Sequence, residues 1–120
     1  MSITVEGKAL ETDQAGFLKN PDDWSEDVAE VLKQEHEKAG HKPVSETAMG
    51  LVYYFREYYE KNLTHPTMND LVNTLGKHQG KSFHDAEAYK EFLYSMFPHG
   101  PIQMLSKLAG LPNPGVENQS

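Results

Sequence analysis

The sequence contains no cysteine among its 120 residues. This absence excludes disulfide bonds, thiolate metal ligands and a cysteine nucleophile. Long apolar runs are missing as well, since no stretch approaches the roughly 20 apolar residues of a membrane-spanning helix. Residues 1–8 also lack the basic and apolar regions of a signal peptide. We therefore expect a cytoplasmic protein with no membrane contact.

Basic residues are scarce, with 11 Lys and Arg against 18 Asp and Glu and a formal net charge of −7. Residues 1–42 hold ten acidic and five basic residues, and residues 43–120 hold eight and six. Nucleic-acid binding needs clustered Lys or Arg to contact phosphates, so the acidic front half disfavours it. The length and a hydrophobic share of 38% are typical of one globular domain.

The amino-terminal residues carry a strand pattern. Ile3 and Val5 alternate with polar residues and are followed by Gly7, which predicts a short antiparallel hairpin. Residues 13–18 are interpreted as a turn with room for a third short strand. The predicted element is therefore a small β-meander within residues 1–18.

Five helices are predicted from their start and stop signals. They are a helix over 24–39 capped by Asp23, helices that begin at Ser45, Thr67 and Ser82, and one over 101–109 between Gly100 and Gly110. The predicted fold is α+β, with the meander packed on an orthogonal bundle of about five helices over 24–109. The third and fourth helices are predicted to form a helix-turn-helix-like pair.

The carboxy terminus has the signals of a projecting arm. Gly110 is suited to close the last helix, and Pro112 and Pro114 cannot re-enter one. We call residues 110–120 the arm and expect them to leave the single domain of residues 1–109 to reach a partner.

Several segments resemble the DsrC/TusE family, small sulfur-carrier proteins that work with sulfite reductases and sulfur relays. The resemblance spans nearly the whole chain but weakens at Ala48-Met49 and Asn69, where the family commonly has other residues. The matching positions are Asp13, Gly16, Phe17, Leu18, Asp23 and Trp24, with the segments Phe97-Pro-x-Gly-Pro and Ala109-Gly-Leu-Pro-x-Pro.

The resemblance implies a reactive cysteine near the end of the arm, often with a second on the preceding helix. Counting along the matched Gly-Leu-Pro-x-Pro segment places Ser106 and Glu117 at those positions. A hydroxyl that stays protonated and a carboxylate cannot replace a sulfur-bearing thiolate. Whether the loss is natural or engineered stays open at this point.

The sequence therefore predicts a non-catalytic paralogue that carries no sulfur and is not an enzyme. It is expected to dock on a protein partner of the sulfite reductase or sulfur-relay type. The residues expected to bind that partner lie on the arm: Gly110, Leu111, Pro112, Pro114 and Glu117.

An alternative hypothesis is a DNA-binding regulator of sulfur metabolism that uses the helix-turn-helix-like pair. Lys77, His78 and Lys81 are its candidate nucleic-acid contacts. The patch is thin, because the arginine that the family places in this region is Asn69 here. Protein docking is therefore the favoured hypothesis.

No metal, cofactor or catalytic site is predicted. His36 and His41 are five residues apart, which on a helix turns them about 140° from each other. Ser106 has no Gly-x-Ser-x-Gly context. The segment 76–82 departs by one residue from the spacing of a phosphate-binding loop and follows a helix instead of a strand.

Overall fold

A computed structural model of the protein describes residues 2–73 and 86–115. Its amino-terminal element is an antiparallel hairpin of β1 (Ser2–Val5) and β2 (Lys8–Glu11). The connection is a two-residue turn in which Glu6 and Gly7 have φ values of 51° and 81°. Two consecutive positive φ values match the tight turn whose twist suits a hairpin. The predicted hairpin is confirmed.

The third short strand expected within residues 13–18 is absent from the structure, which describes all of these residues. Thr12 and Leu18 form a single isolated bridge, not a strand. The Asp13 carboxylate accepts hydrogen bonds from the backbone N–H groups of Ala15 at 2.9 Å and Phe17 at 3.0 Å. Because the side chain satisfies these amides locally, the segment folds as a turn and does not extend the sheet.

Five α-helices follow within the described residues, as predicted, and the fold is α+β. Each helix keeps its number in chain order below. Their bounds are α1 Glu26–Lys38, α2 Glu46–Asn62, α3 Met68–Asn73, α4 Ala86–Met96 and α5 Pro101–Leu108.

The start of α1 differs from its prediction. Asp23 belongs to a short 3-10 turn, Pro21–Asp23, that precedes the helix. The true cap is Ser25, whose Oγ accepts a hydrogen bond from the Val28 N–H at 3.3 Å. Pro21 begins the separate turn because its fixed φ suits a first helical position, and the chain then re-extends at Trp24 before α1.

Two other predicted caps are confirmed. Ser45 Oγ accepts from the Ala48 N–H at 3.2 Å. Thr67 and Asp70 form a reciprocal capping box, with N–H to side-chain distances of 2.8 and 3.1 Å. The predicted cap at Ser82 and the link between the two helices of the helix-turn-helix-like pair lie outside the described residues.

The core is centred on α2, which packs against α5, while α1 contacts both α5 and the hairpin. Leu51, Val52 and Phe55 of α2 are fully buried. Their burial agrees with an apolar surface that covers more than half of the helix circumference. Among the described helices, none is long and apolar enough to cross a membrane.

Candidate functional site

The end of α5 closes in a complete Schellman motif. Gly110, at φ 69°, donates its N–H to Lys107 O at 3.1 Å, and Leu111 donates to Ser106 O at 3.0 Å. These are the two bonds that define the motif, and they require a left-handed residue at the glycine. The predicted role of Gly110 as helix terminator is confirmed.

Gly110 also lies directly against the indole of Trp24. A Cβ at this position would come within 2.6 Å of Trp24 Cγ and 2.7 Å of its Cβ. Glycine is therefore required here for two reasons, the backbone conformation and the space. The contact fixes the end of α5 on the segment that precedes α1.

Three side chains hold the backbone carbonyls where α5 ends and the arm begins, a region that we call the arm root (residues 108–112). Trp24 Nε1 donates to Leu108 O at 3.0 Å, and Arg56 Nη1 donates to Ala109 O at 3.3 Å. His65 Nε2 lies 2.7 Å from Pro112 O and must carry the proton, because a carbonyl only accepts.

Each donor of the arm root is held in place by a contact with another donor or with a neighbouring side chain. The Arg56 guanidinium lies 5.1 Å from the centre of the Trp24 ring and pairs with Glu60 at 3.2 Å. The ring of Tyr59 packs edge-on against His65 at 5.4 Å. Helix carbonyls normally left without partners are thus satisfied by oriented side chains, which makes the direction of the departing chain well defined.

The first residues of the arm lie on the body, which differs from the expectation that the chain projects from Gly110 onward. Leu111 is fully buried, and Pro112 and Pro114 are half-buried. The Gln103 side chain also donates a hydrogen bond to Gly115 O. The reason is the apolar contact that a Schellman motif makes just beyond its glycine. Glu117 lies outside the described residues.

Ser106 is fully buried on α5, and its Oγ has no hydrogen-bond partner among the described residues. No base contacts the hydroxyl, so nothing in its surroundings activates it as a nucleophile. At this position the chain therefore offers a buried polar atom and no accessible reactive group.

The candidate nucleic-acid contacts Lys77, His78 and Lys81 lie outside the described residues. DNA binding through them stays a prediction. The sequence did not reveal the three donors of the arm root, Trp24, Arg56 and His65. Trp24 and Arg56 lie in segments that resemble the family, and His65 was expected to be solvated, but nothing in the sequence indicates that they bind these carbonyls.

The two histidines separated by five residues meet in space, against the helical-geometry argument. Gly40, at φ 95°, ends α1 and turns the chain back, so the rings of His36 and His41 stack with centroids 4.4 Å apart. Stacked rings do not converge on one ion. Within the described residues, no group of three or more His, Cys, Asp or Glu has metal-binding geometry.

Within the described residues, a hairpin packs on five helices, and side chains bind the carbonyls at the end of α5, which defines a small α+β protein with a fixed turn after that helix. Residues 4–116 match the family model described as DsrC like protein. The chain therefore belongs to the DsrC/TusE family.

Relatives of known name agree with this family. The sulfurtransferase TusE of Photorhabdus laumondii is 33% identical over 112 residues, covering 93% of this chain and 94% of its own. That of Escherichia coli K12 is also 33% identical, covering 93% and 95%.

Two solved structures have the same fold. The oxidized gamma-subunit of dissimilatory sulfite reductase from Archaeoglobus fulgidus superposes with a TM-score of 0.77 at 28% identity, over 97% of this chain and 98% of its own. The gamma subunit from Pyrobaculum aerophilum gives 0.66 at 34% identity, over 97% and 93%.

Proposed function

We propose that this protein is a non-catalytic member of its family that docks on a partner of the sulfite reductase or sulfur-relay type through its arm. One observation carries the proposal: the arm root is fully built, while the chain has no cysteine. A docking surface depends on shape and backbone position, and the fixed carbonyls of the arm root support such a surface. Sulfur transfer depends on a thiolate, and none is present.

The names of the relatives support the class of partner. Some are sulfurtransferases and others are gamma subunits of a dissimilatory sulfite reductase. A cysteine-less protein that docks in the same way occupies the partner without delivering sulfur. Its expected effect is to compete with thiol-bearing relatives for the same surface.

The arm residues divide into two groups by their environment. Gly110 and Leu111 are buried and fix the root, so their replacement is expected to act through the fold. Pro112 and Pro114 are half-buried and stiffen the chain beyond the root, because proline limits its conformations. Glu117 follows on the same segment and is the proposed contact nearest the chain end.

A binding measurement with purified partners tests the proposal. The candidates are the catalytic subunits of a sulfite reductase and a sulfur-relay protein from the same organism, with binding followed by calorimetry. A version truncated after Gly115 retains buried Leu111 and is expected to bind at least about tenfold more weakly, a loss of roughly 1.4 kcal/mol.

Ser106→Ala is the matched control, because a fully buried hydroxyl cannot touch a partner. Its affinity is expected to equal that of the unaltered chain. Equal binding by the truncated version would remove Glu117 and the other residues beyond Gly115 from the proposed contacts. Sulfane sulfur found covalently bound to the purified protein by intact mass would overturn its non-catalytic part.

A further inference from the structure

A cavity of about 300 Å³ lies between the hairpin, α1 and α5, and Leu108 at the start of the arm root is part of its lining. Its volume is at the small end of the range for small-molecule sites. Ile3, Leu32 and Met104 supply an apolar wall, while His36 and Lys107 contribute polar atoms to the lining. Such a mixture suits a molecule with one apolar and one polar side.

His36 is the first residue that points to a ligand in the cavity. The side chain is 8% exposed, and its Nε2 has no hydrogen-bond partner among the described residues. Buried polar atoms nearly always have a partner, so an exception needs a reason. A bound molecule that contacts the imidazole supplies one.

Lys107 is the second such residue. Its side chain passes the backbone of Gly16, where an added Cβ would lie 2.8 Å from Cε and 2.9 Å from Nζ. The ammonium lies 6.0 Å from the centre of the Phe17 ring. Lys107 forms no ion pair with any residue that the structure describes, so a half-buried cation lines the cavity without a counterion.

The other charged lining group does not neutralise this lysine. Glu35 has a side chain that is 56% exposed, and it approaches Lys38 at 3.9 Å on the outer surface of α1. The charges of His41 and Lys107 also help to lower the pKa of His36, after burial, which is the largest cause. The local potential therefore favours negative charge, although the whole chain is acidic.

We propose that this cavity binds a small organic anion. Its charged group pairs with the Lys107 ammonium, its polar atoms contact the imidazole of His36, and its apolar part lies against Ile3, Leu32 and Met104. The inference does not rest on the proposed docking function, because none of the three donors of the arm root, Trp24, Arg56 and His65, lines the cavity.

Three probes of matched size and different charge test the proposal on the full chain: benzoate, benzamide and benzylamine. Amide and histidine signals are followed by NMR during each titration. Benzoate is expected to shift the signals of His36 and Lys107 saturably, and benzamide and benzylamine at least about tenfold more weakly, the size of one charged hydrogen bond. Acetate serves as a smaller anion.

Lys107→Met removes the charge while keeping an apolar side chain, and it is expected to weaken benzoate binding about tenfold. Lys90→Met on α4 makes the same charge change away from the cavity and is expected to leave binding unchanged. If Lys107→Met does not fold, the proposal is tested by comparing the binding of benzoate and benzamide to the unaltered chain. No saturable shift with benzoate or acetate, or equal binding of benzamide, overturns the proposal.

Discussion

At the scale of single residues, Ser106 of α5 places a polar atom inside the core. Its hydroxyl is fully buried and has no partner among the residues that the structure describes, and desolvating a hydroxyl that gains no hydrogen bond costs free energy. A thiol of similar shape donates weakly and behaves as a small apolar group, so it tolerates the same surroundings better. The pocket around Ser106 therefore suits an apolar or sulfur atom.

Ser106→Ala is expected to leave the free energy of unfolding unchanged or raise it by up to about 1 kcal/mol, since it removes an unsatisfied buried group. Urea denaturation measures this. Ser45→Ala is the matched control. It removes the hydroxyl that accepts a hydrogen bond from the Ala48 N–H, and it is expected to lower the free energy of unfolding by about 1 kcal/mol. A loss at Ser106 as large as the loss at Ser45 would show that the hydroxyl has a stabilising partner.

His36 makes stability depend on pH. Burial, followed by the charges of His41 and Lys107, lowers its pKa from 6.5 to about 4, and Glu37 opposes this weakly. Between these values the unfolded chain binds a proton that the folded chain does not. The contribution of His36 is therefore fully present above pH 6.5 and is lost as the pH falls towards 4.

His36→Phe keeps a ring against Phe97 and removes the titration. The stability of the unaltered chain relative to this variant is expected to fall between pH 6.5 and about 4, the window set by the pKa change. Urea unfolding at several pH values measures it. Parallel curves for His36→Phe would contradict the prediction.

At the scale of elements, α5 is bounded by two glycines that act differently. Gly100 at φ 126° precedes Pro101 without a side-chain cap, whereas Gly110 closes the helix against Trp24. The second glycine sets the position of the arm root, because Trp24 also binds Leu108 O. One indole therefore positions the end of the helix through both packing and a hydrogen bond.

Gly110→Ala is expected to lower the free energy of unfolding by more than about 1 kcal/mol, because backbone strain at positive φ adds to a clash with the indole of Trp24. Gly40→Ala separates the two effects. Gly40 has a φ of 95° but nothing within 4 Å of an added Cβ, so only the strain remains. Thermal and urea unfolding compare the two variants. Equal losses would mean that Trp24 moves aside freely.

The parts of these elements that the sequence predicted are those set by neighbouring residues. Ser45, the Thr67–Asp70 box and Gly110 act over three or four positions, so their patterns are visible in the chain. The cap of α1 was misplaced because Asp23 and Ser25 are both good caps, and only the 3-10 turn decides between them.

The arm root was not predictable in the same way. Trp24 and Leu108 are 84 positions apart, and Arg56 and Ala109 are 53 apart, so no local pattern links them. The packing of Leu111 on the body likewise depends on tertiary contacts. The stacking of His36 on His41 was not predicted, because the angle between them was calculated as if both residues lay on one helix, whereas the chain turns at Gly40.

At the scale of the whole molecule, fold and chemistry have separate requirements. The fold depends on a buried core that many apolar residues share, together with helix ends set by backbone geometry. Sulfur transfer through a protein thiol depends on an ionisable cysteine, and this chain has none. The chain therefore has the fold of its family without that nucleophile.

This separation predicts that one thiol placed on the arm is enough to give the chain sulfur chemistry. In Glu117→Cys, the thiolate is expected to attack the sulfane sulfur of a small persulfide donor, forming a new S–S bond as the thiolate of the donor leaves. Intact mass would then show one added sulfur atom. Ser106→Cys is the matched control, since a fully buried thiol is expected to react far more slowly. Equal labelling of both variants, or of the unaltered chain, would contradict the prediction that a thiol at position 117 is what gives the reaction.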